Sequence, residues 1–208
     1  MKERPILFSG PMVRAILDGT KTQTRRIVKP QPSGLLKLAL HLARRGLPIW
    51  SCDGWQGPCP YGQPGDRLWV RETWNVGDDK HNYYVQYRAD SDGVEHQHSR
   101  SKLDPGDEFL LERWANKTDE WNPSIFMPRW ASRITLEVTG VRVERLQDIS
   151  ERDAWAEGCE GTDDDVTGGI SGYREYCQLW DSINAKTAPW ASNPWVWVVE
   201  FTRLPTSA

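Results

Sequence analysis

The stretch Ile16-Leu17-Asp18-Gly19-Thr20-Lys21-Thr22-Gln23-Thr24-Arg25-Arg26 decides how this chain is read. Its apolar pair closes a short helix that begins at Gly10-Pro11, with Pro in the first turn, Val13, Ile16 and Leu17 on one face and Gly19 just past the end. The following run, Thr20–Lys29, is polar and basic at first and turns apolar only at Ile27 and Val28, so a loop is expected to lead into a strand.

Outward from there, Leu35–Arg45 is leucine-rich and ends in Arg44-Arg45-Gly46, the pattern of an amphipathic helix with a glycine stop. Pro30, Pro32, Pro48, Pro58, Pro60 and Pro64 punctuate the same region and mark about 30–60 as an irregular insertion. Arg67–Trp74 alternates Leu68 and Val70 with Trp69 and Arg71, as a strand does, and Asn82–Arg88 alternates through Tyr83, Val85 and Tyr87. A second insertion is expected at about 75–128, where 89–125 is polar, holds His96 and His98 and has little periodicity. Ser132–Leu146 reads as a long strand or a pair of strands, with Gly140 where a bulge or turn fits. Ser150-Glu151-Arg152-Asp153 then starts a capped helix that Gly158 stops, and Asp163–Gly169 is an acidic loop. Tyr173, Tyr176, Cys177, Trp180 and Ile183 recur at helical spacing before a last apolar strand, Trp195–Phe201. The expected class is α+β, mainly β: a small barrel with short crossover helices and two insertions, in a single domain over 1–208.

Composition narrows the function classes. The chain holds 12 Trp, whose flat rings serve either as core and rim packing or as stacking platforms for bases. Residues 1–50 carry ten Lys or Arg against Glu3 and Asp18, a net of +8, which leaves −11 for the rest of a chain whose total is −3. That segment is either an anion-facing surface or a face that pairs with the acidic C-terminal half. No secretion signal or membrane span is expected, and Cys52, Cys59, Cys159 and Cys177 lie at irregular spacing, which fits a reducing cytoplasm rather than disulfide staples. Neither the gap from Cys52 to Cys59 nor His96-Gln97-His98 matches a paired-ligand zinc knuckle, so no metal is expected.

The decisive stretch resembles the signature of ASCH-domain proteins: an apolar pair, a glycine, then Lys-Thr-x-Thr and a basic residue. Four later segments agree in order. Gly65-Asp66-Arg67-Leu68-Trp69-Val70 is similar to the family's Gly-Asp turn entering a strand, Ile134–Val143 to its long central strand, Leu146–Gly158 to the helix that follows and Trp195–Phe201 to the closing strand. The longer layout, including CPYGQPGDRLWVRETW at Cys59–Trp74, resembles the ASCH proteins common in phages and prophages. The resemblance implies a PUA-like β-barrel and a modified nucleoside or single-stranded nucleic acid as partner. Relatives include proteins thought to bind RNA, a ribonuclease and small amidohydrolases that deacylate N4-acetylcytidine. The working Lys, Thr and Glu of those amidohydrolases fall on Lys21, Thr24 and Glu157, which implies a metal-independent hydrolase with no cofactor.

Amide hydrolysis needs a nucleophile, a base for its proton and a donor for the leaving amine. Thr24 suits the first role. Lys21 suits the second only if desolvation or a neighbouring cation such as Arg25 or Arg26 lowers its pKa, and Glu157 would orient the lysine or shuttle the proton. The same three residues also have plainer readings, as a phosphate-contacting lysine, a strand threonine and one acid of an acidic helix. Arg25, Arg26, Lys29 and Arg71 are candidates for binding anionic or carbonyl groups, and Trp69, Trp74 or Tyr84 for stacking a base. Two other functions remain open: a non-catalytic RNA- or DNA-binding module, and a ribonuclease. A shared catalytic site requires the Lys21 amine to lie within hydrogen-bond reach of Thr24 or Glu157.

Overall fold

The computed structural model describes residues 1–32, 37–38, 49–52, 55–78, 81–90, 94–99, 103–115, 121–162 and 169–205, with backbone alone at 37–38, 49–52 and 55–57. In chain order the elements are β1 (Glu3–Leu7), α1 (Gly10–Asp18), β2 (Gln23–Ile27), β3 (Lys37–Leu38), β4 (Ile49–Cys52), β5 (Trp55–Pro58), β6 (Arg67–Arg71), β7 (Trp74–Asp78), β8 (Asn82–Tyr87), β9 (His96–Ser99), α2 (Pro105–Ala115), β10 (Thr135–Arg145), α3 (Glu151–Ala156), α4 (Gly172–Asn184) and β11 (Trp195–Arg203). The protein is a mixed α+β fold, mainly sheet. No helix among the described residues is long and apolar enough to cross a membrane.

The central sheet has five strands in the order β1-β6-β10-β11-β2, parallel between β1 and β6 and antiparallel elsewhere. It ends at β1 and β2, which share no backbone ladder among the described residues. Strand β11 carries the most packing. Trp197, Val199 and Phe201 join Leu68, Val70, Leu136 and Val138 in a core that α1 covers with Val13 and Ile16. The alternate residues Val196 and Val198 face α3 and α4, where they meet Leu146, Ala154, Tyr176 and Trp180. A strand buried on both faces explains the unbroken apolar run Trp195–Val199, since each such side chain gains about 1.5–3 kcal/mol by leaving water. The expected bulge lies between Val138 and Gly140 of β10.

Helix α1 follows its punctuation: Pro lies in the first turn and Gly19, at φ 82°, caps the C-terminus with its N–H on Ile16 O. Helix α3 opens with a capping box in which Ser150 and Asp153 satisfy each other's backbone N–H.

Both expected insertions contain regular structure, in the second beyond the strand expected at Asn82–Arg88. Strands β3, β4 and β5 form one three-stranded sheet and β7, β8 and β9 another. The expected helix at 35–45 lies outside the described residues except at Lys37–Leu38, which is a strand; the loop at 163–168 also lies outside them. Helix α2 lies in the stretch that showed no periodicity, because Leu111 is its one fully buried side chain and no apolar stripe is needed. The strand expected from Arg67 through Trp74 breaks at Glu72 and Thr73, so Trp74 begins β7 in a different sheet.

Candidate active site

The start of β2 is knitted to the end of α3. Thr22 N–H donates to Ala156 O at 2.8 Å, and Lys21 and Glu157 form an isolated antiparallel bridge. Gly158, at φ 84°, makes this approach possible: a Cβ there would lie 2.9 Å from Ala15 Cβ and 3.4 Å from Lys21 Cβ. Glu157, expected within helix α3, is its C-cap, one residue past the last helical residue Ala156.

The bridge brings together two residues 136 positions apart, with Lys21 Nζ donating to Glu157 Oε2 at 2.7 Å and to Glu157 O at 2.8 Å. Their side chains are 0% and 3% exposed. The second carboxylate oxygen is held from β2, where Arg25 Nη1 donates to Glu157 Oε1 at 3.2 Å. Arg25 is itself fully buried and is clamped by Glu144 at 2.5 Å and Asp153 at 3.6 Å. Burial, the largest influence, holds the Lys21 ammonium below the ordinary lysine range; the Glu157 carboxylate pulls it upward and Arg26 pushes it further down. Because Arg25 shares Glu157, that carboxylate's pull on the lysine proton is divided.

Thr24 and Glu157 line a cavity of about 780 Å³ together with Arg25, Arg26 and Lys29. Lys21 is not a lining residue; it sits behind the wall and meets the cavity through Glu157. The Thr24 hydroxyl makes no hydrogen bond among the described residues. Tyr61, Tyr176, Trp180 and Trp197 supply aromatic surface, and Leu179 and Ile183 an apolar side. Burial raises the Tyr176 phenol well above its ordinary value, with Glu157 adding to the effect, so it remains a protonated donor. The nearby Cys159 thiol is pushed up to about 12, chiefly by burial, and offers no thiolate.

Four residues singled out in the sequence lie elsewhere. Trp74 is fully buried and packs against Trp114 and Trp130, each 5.8 Å away centre to centre. Trp69 lies under the Arg71 guanidinium at 4.6 Å, and Arg71 Nη1 donates to Ile125 O at 3.1 Å, so both are taken up in packing rather than facing this cavity. Tyr84 sits on β8 and does not line it. The aromatic wall comes instead from α4, whose Tyr176, Trp180 and Ile183 spacing signalled a helix face but not what that face overlooks. Of the clamps on Arg25, Glu144 carried no sequence signal beyond being acidic, and Asp153 signalled only a helix start.

Part of the charge asymmetry is taken up inside the molecule. Lys21 and Arg25 from the basic segment pair with Glu144, Asp153 and Glu157 from the acidic half, and Arg4 pairs with Asp66 at 3.0 Å. The side chains of Lys37, Arg44 and Arg45 lie outside the described residues. No protein-family model, no curated protein and no solved structure matches the chain.

Proposed function

We propose that the protein is an ASCH-type hydrolase that cleaves the amide of an N4-acylated cytidine or a closely related modified base. The observation that carries this reading is the buried Lys21–Glu157 pair at 2.7 Å behind a cavity wall that holds Thr24. Thr24 Oγ1 attacks the acyl carbonyl and gives its proton to the Lys21–Glu157 pair. The C–N bond breaks, the pair returns the proton to the cytosine amino nitrogen, and the acyl group is left as an ester on Thr24. Water then hydrolyses that ester and restores the hydroxyl. A lysine with a lowered pKa can be neutral at working pH, which the base role requires.

The five-stranded sheet is read as the PUA-like barrel that the ASCH resemblance implies. Its two edge strands are linked by a side chain, Arg26 Nη2 donating to Leu7 O at 2.6 Å, which supports a barrel drawn nearly closed. The test of function is incubation with N4-acetylcytidine and analogues bearing larger acyl groups, followed by chromatography for cytidine. Turnover is expected; a wild-type protein no faster than Thr24→Ala across that panel removes the hydrolase reading. Salt-sensitive binding of single-stranded RNA without product would instead identify a binding module, and RNA cleavage abolished in Lys21→Ala a ribonuclease.

A further inference from the structure

Four cations stand at or behind the cavity wall, and they divide into two kinds. Lys21 and Arg25 are bound to carboxylates. Arg26 and Lys29, three residues apart at the end of β2, both line the cavity and form no ion pair among the described residues. Arg26 is part-buried, with its guanidinium 5.1 Å from the centre of the Phe8 ring. It spends one Nη2 hydrogen on Leu7 O, and its Nε is shut off from solvent with no partner. A part-buried cation that lines the cavity with no carboxylate beside it is left for an anion entering the cavity to meet. A guanidinium with unspent donors and a neighbouring solvent-reaching ammonium match the oxygens of a phosphate. At about 780 Å³ the cavity falls in the upper part of the range for small-molecule sites, roughly 300–1,000 Å³, with room beyond an acylated base.

We propose that the substrate is phosphorylated: a nucleotide whose phosphate is held between Arg26 and Lys29 while its acylated base faces Thr24. This rests on the acyl-cytidine reading of the same cavity. The phosphate belongs either to a free 5′-monophosphate or to the backbone of a single strand, and the chemistry at Arg26 and Lys29 is common to both.

The test measures kcat/KM for N4-acetylcytidine, its 5′-monophosphate and a short RNA strand containing one N4-acetylcytidine, in wild type, Arg26→Gln and Lys29→Gln. A charge-assisted hydrogen bond contributes about 1.5–3 kcal/mol, so at least one phosphorylated substrate should be favoured about tenfold or more over the nucleoside. Each variant should cut that preference severalfold, and preference for the strand over the monophosphate would assign the phosphate to a backbone. Equal values for all three substrates, or a preference unchanged in both variants, overturns the phosphate site and leaves the hydrolase reading intact. Arg26→Gln also removes the bond to Leu7 O, so Lys29→Gln, at an exposed position, decides the matter if the first variant does not fold. If no substrate is hydrolysed the hydrolase reading fails by itself, and calorimetry with cytidine 5′-monophosphate against cytidine then decides. Tighter binding of the monophosphate, weakened in Lys29→Gln, upholds the phosphate site; equal binding overturns it.

Discussion

Two arginines anchor buried charge in this protein, and their surroundings differ in one respect that matters. Arg133 meets Glu72 with two parallel bonds of 3.0 and 3.1 Å and Asp90 at 2.7 Å, and lies 4.0 Å from the Tyr87 ring. It borders a second cavity, of about 800 Å³, but the hydroxyls there are in use: Ser132 donates to Val70 O at 2.7 Å and Thr135 accepts from Arg129 at 3.3 Å. Arg25 is also ringed by carboxylates, yet one of them, Glu157, is shared with a second cation whose pKa burial has lowered, and the adjacent Thr24 hydroxyl has no partner among the described residues. Around Arg133 the polar groups are spent on one another, Asp90 also meeting His96 at 2.9 Å. A buried lysine with a lowered pKa and an unspent hydroxyl at a cavity wall leave something to react.

The sharpest way to break this contrast is to strike one residue in each cluster. Thr24→Ala should lower turnover of an N4-acylated cytidine on the order of a thousandfold or more, while the lost methyl and hydroxyl cost about 1 kcal/mol of stability in a denaturant titration. Glu72→Ala should do the reverse, removing about 1–3 kcal/mol of stability by leaving the part-buried Arg133 guanidinium with Asp90 alone. An inactive Glu72→Ala that unfolds at the wild-type midpoint would erase the distinction between the two clusters.

A pH profile sharpens the comparison. Lys21 must be neutral to accept a proton, so kcat/KM should rise with pH as Lys21 loses its own. Because burial lowers its pKa, that rise should level off below the ordinary lysine range. Arg25→Lys gives up the Nη1 bond to Glu157, so the Glu157 carboxylate should hold the Lys21 proton harder and move the rise to higher pH. A rise that stays in place would remove Arg25 from the account. The smallest effect is expected at the exposed Arg129–Glu3 pair, where Arg129→Ala should change stability by less than about 1 kcal/mol.

How much was legible follows from where the signals were strong. Pro11 and Gly19 bracket α1, Ser150 and Asp153 open α3, and the apolar run at Trp195 marks β11, because caps and double-sided burial leave marks at fixed positions. Strands β3, β4 and β5 have two to four residues each among Pro and Gly, too short for alternation to register. Alternation separated Trp69 and Arg71 from Leu68 and Val70 but could not say which face meets the cavity. The Lys21–Thr24 spacing was local and readable. Its link to Glu157 depends on Gly158 letting α3 close against Lys21, and the clamps on Arg25 come from β10 and α3; no local pattern encodes such contacts.

The central claim is that Lys21, Thr24 and Glu157 act as one unit, and a double-mutant cycle tests it most directly. Lys21→Met, Thr24→Ala and the double variant are to be compared by kcat/KM on the best acylated substrate. Residues that act together are not additive, so the double variant should be no slower than Thr24→Ala alone. Losses that multiply, each residue lowering the rate by its own factor in the other's absence, would contradict a shared site.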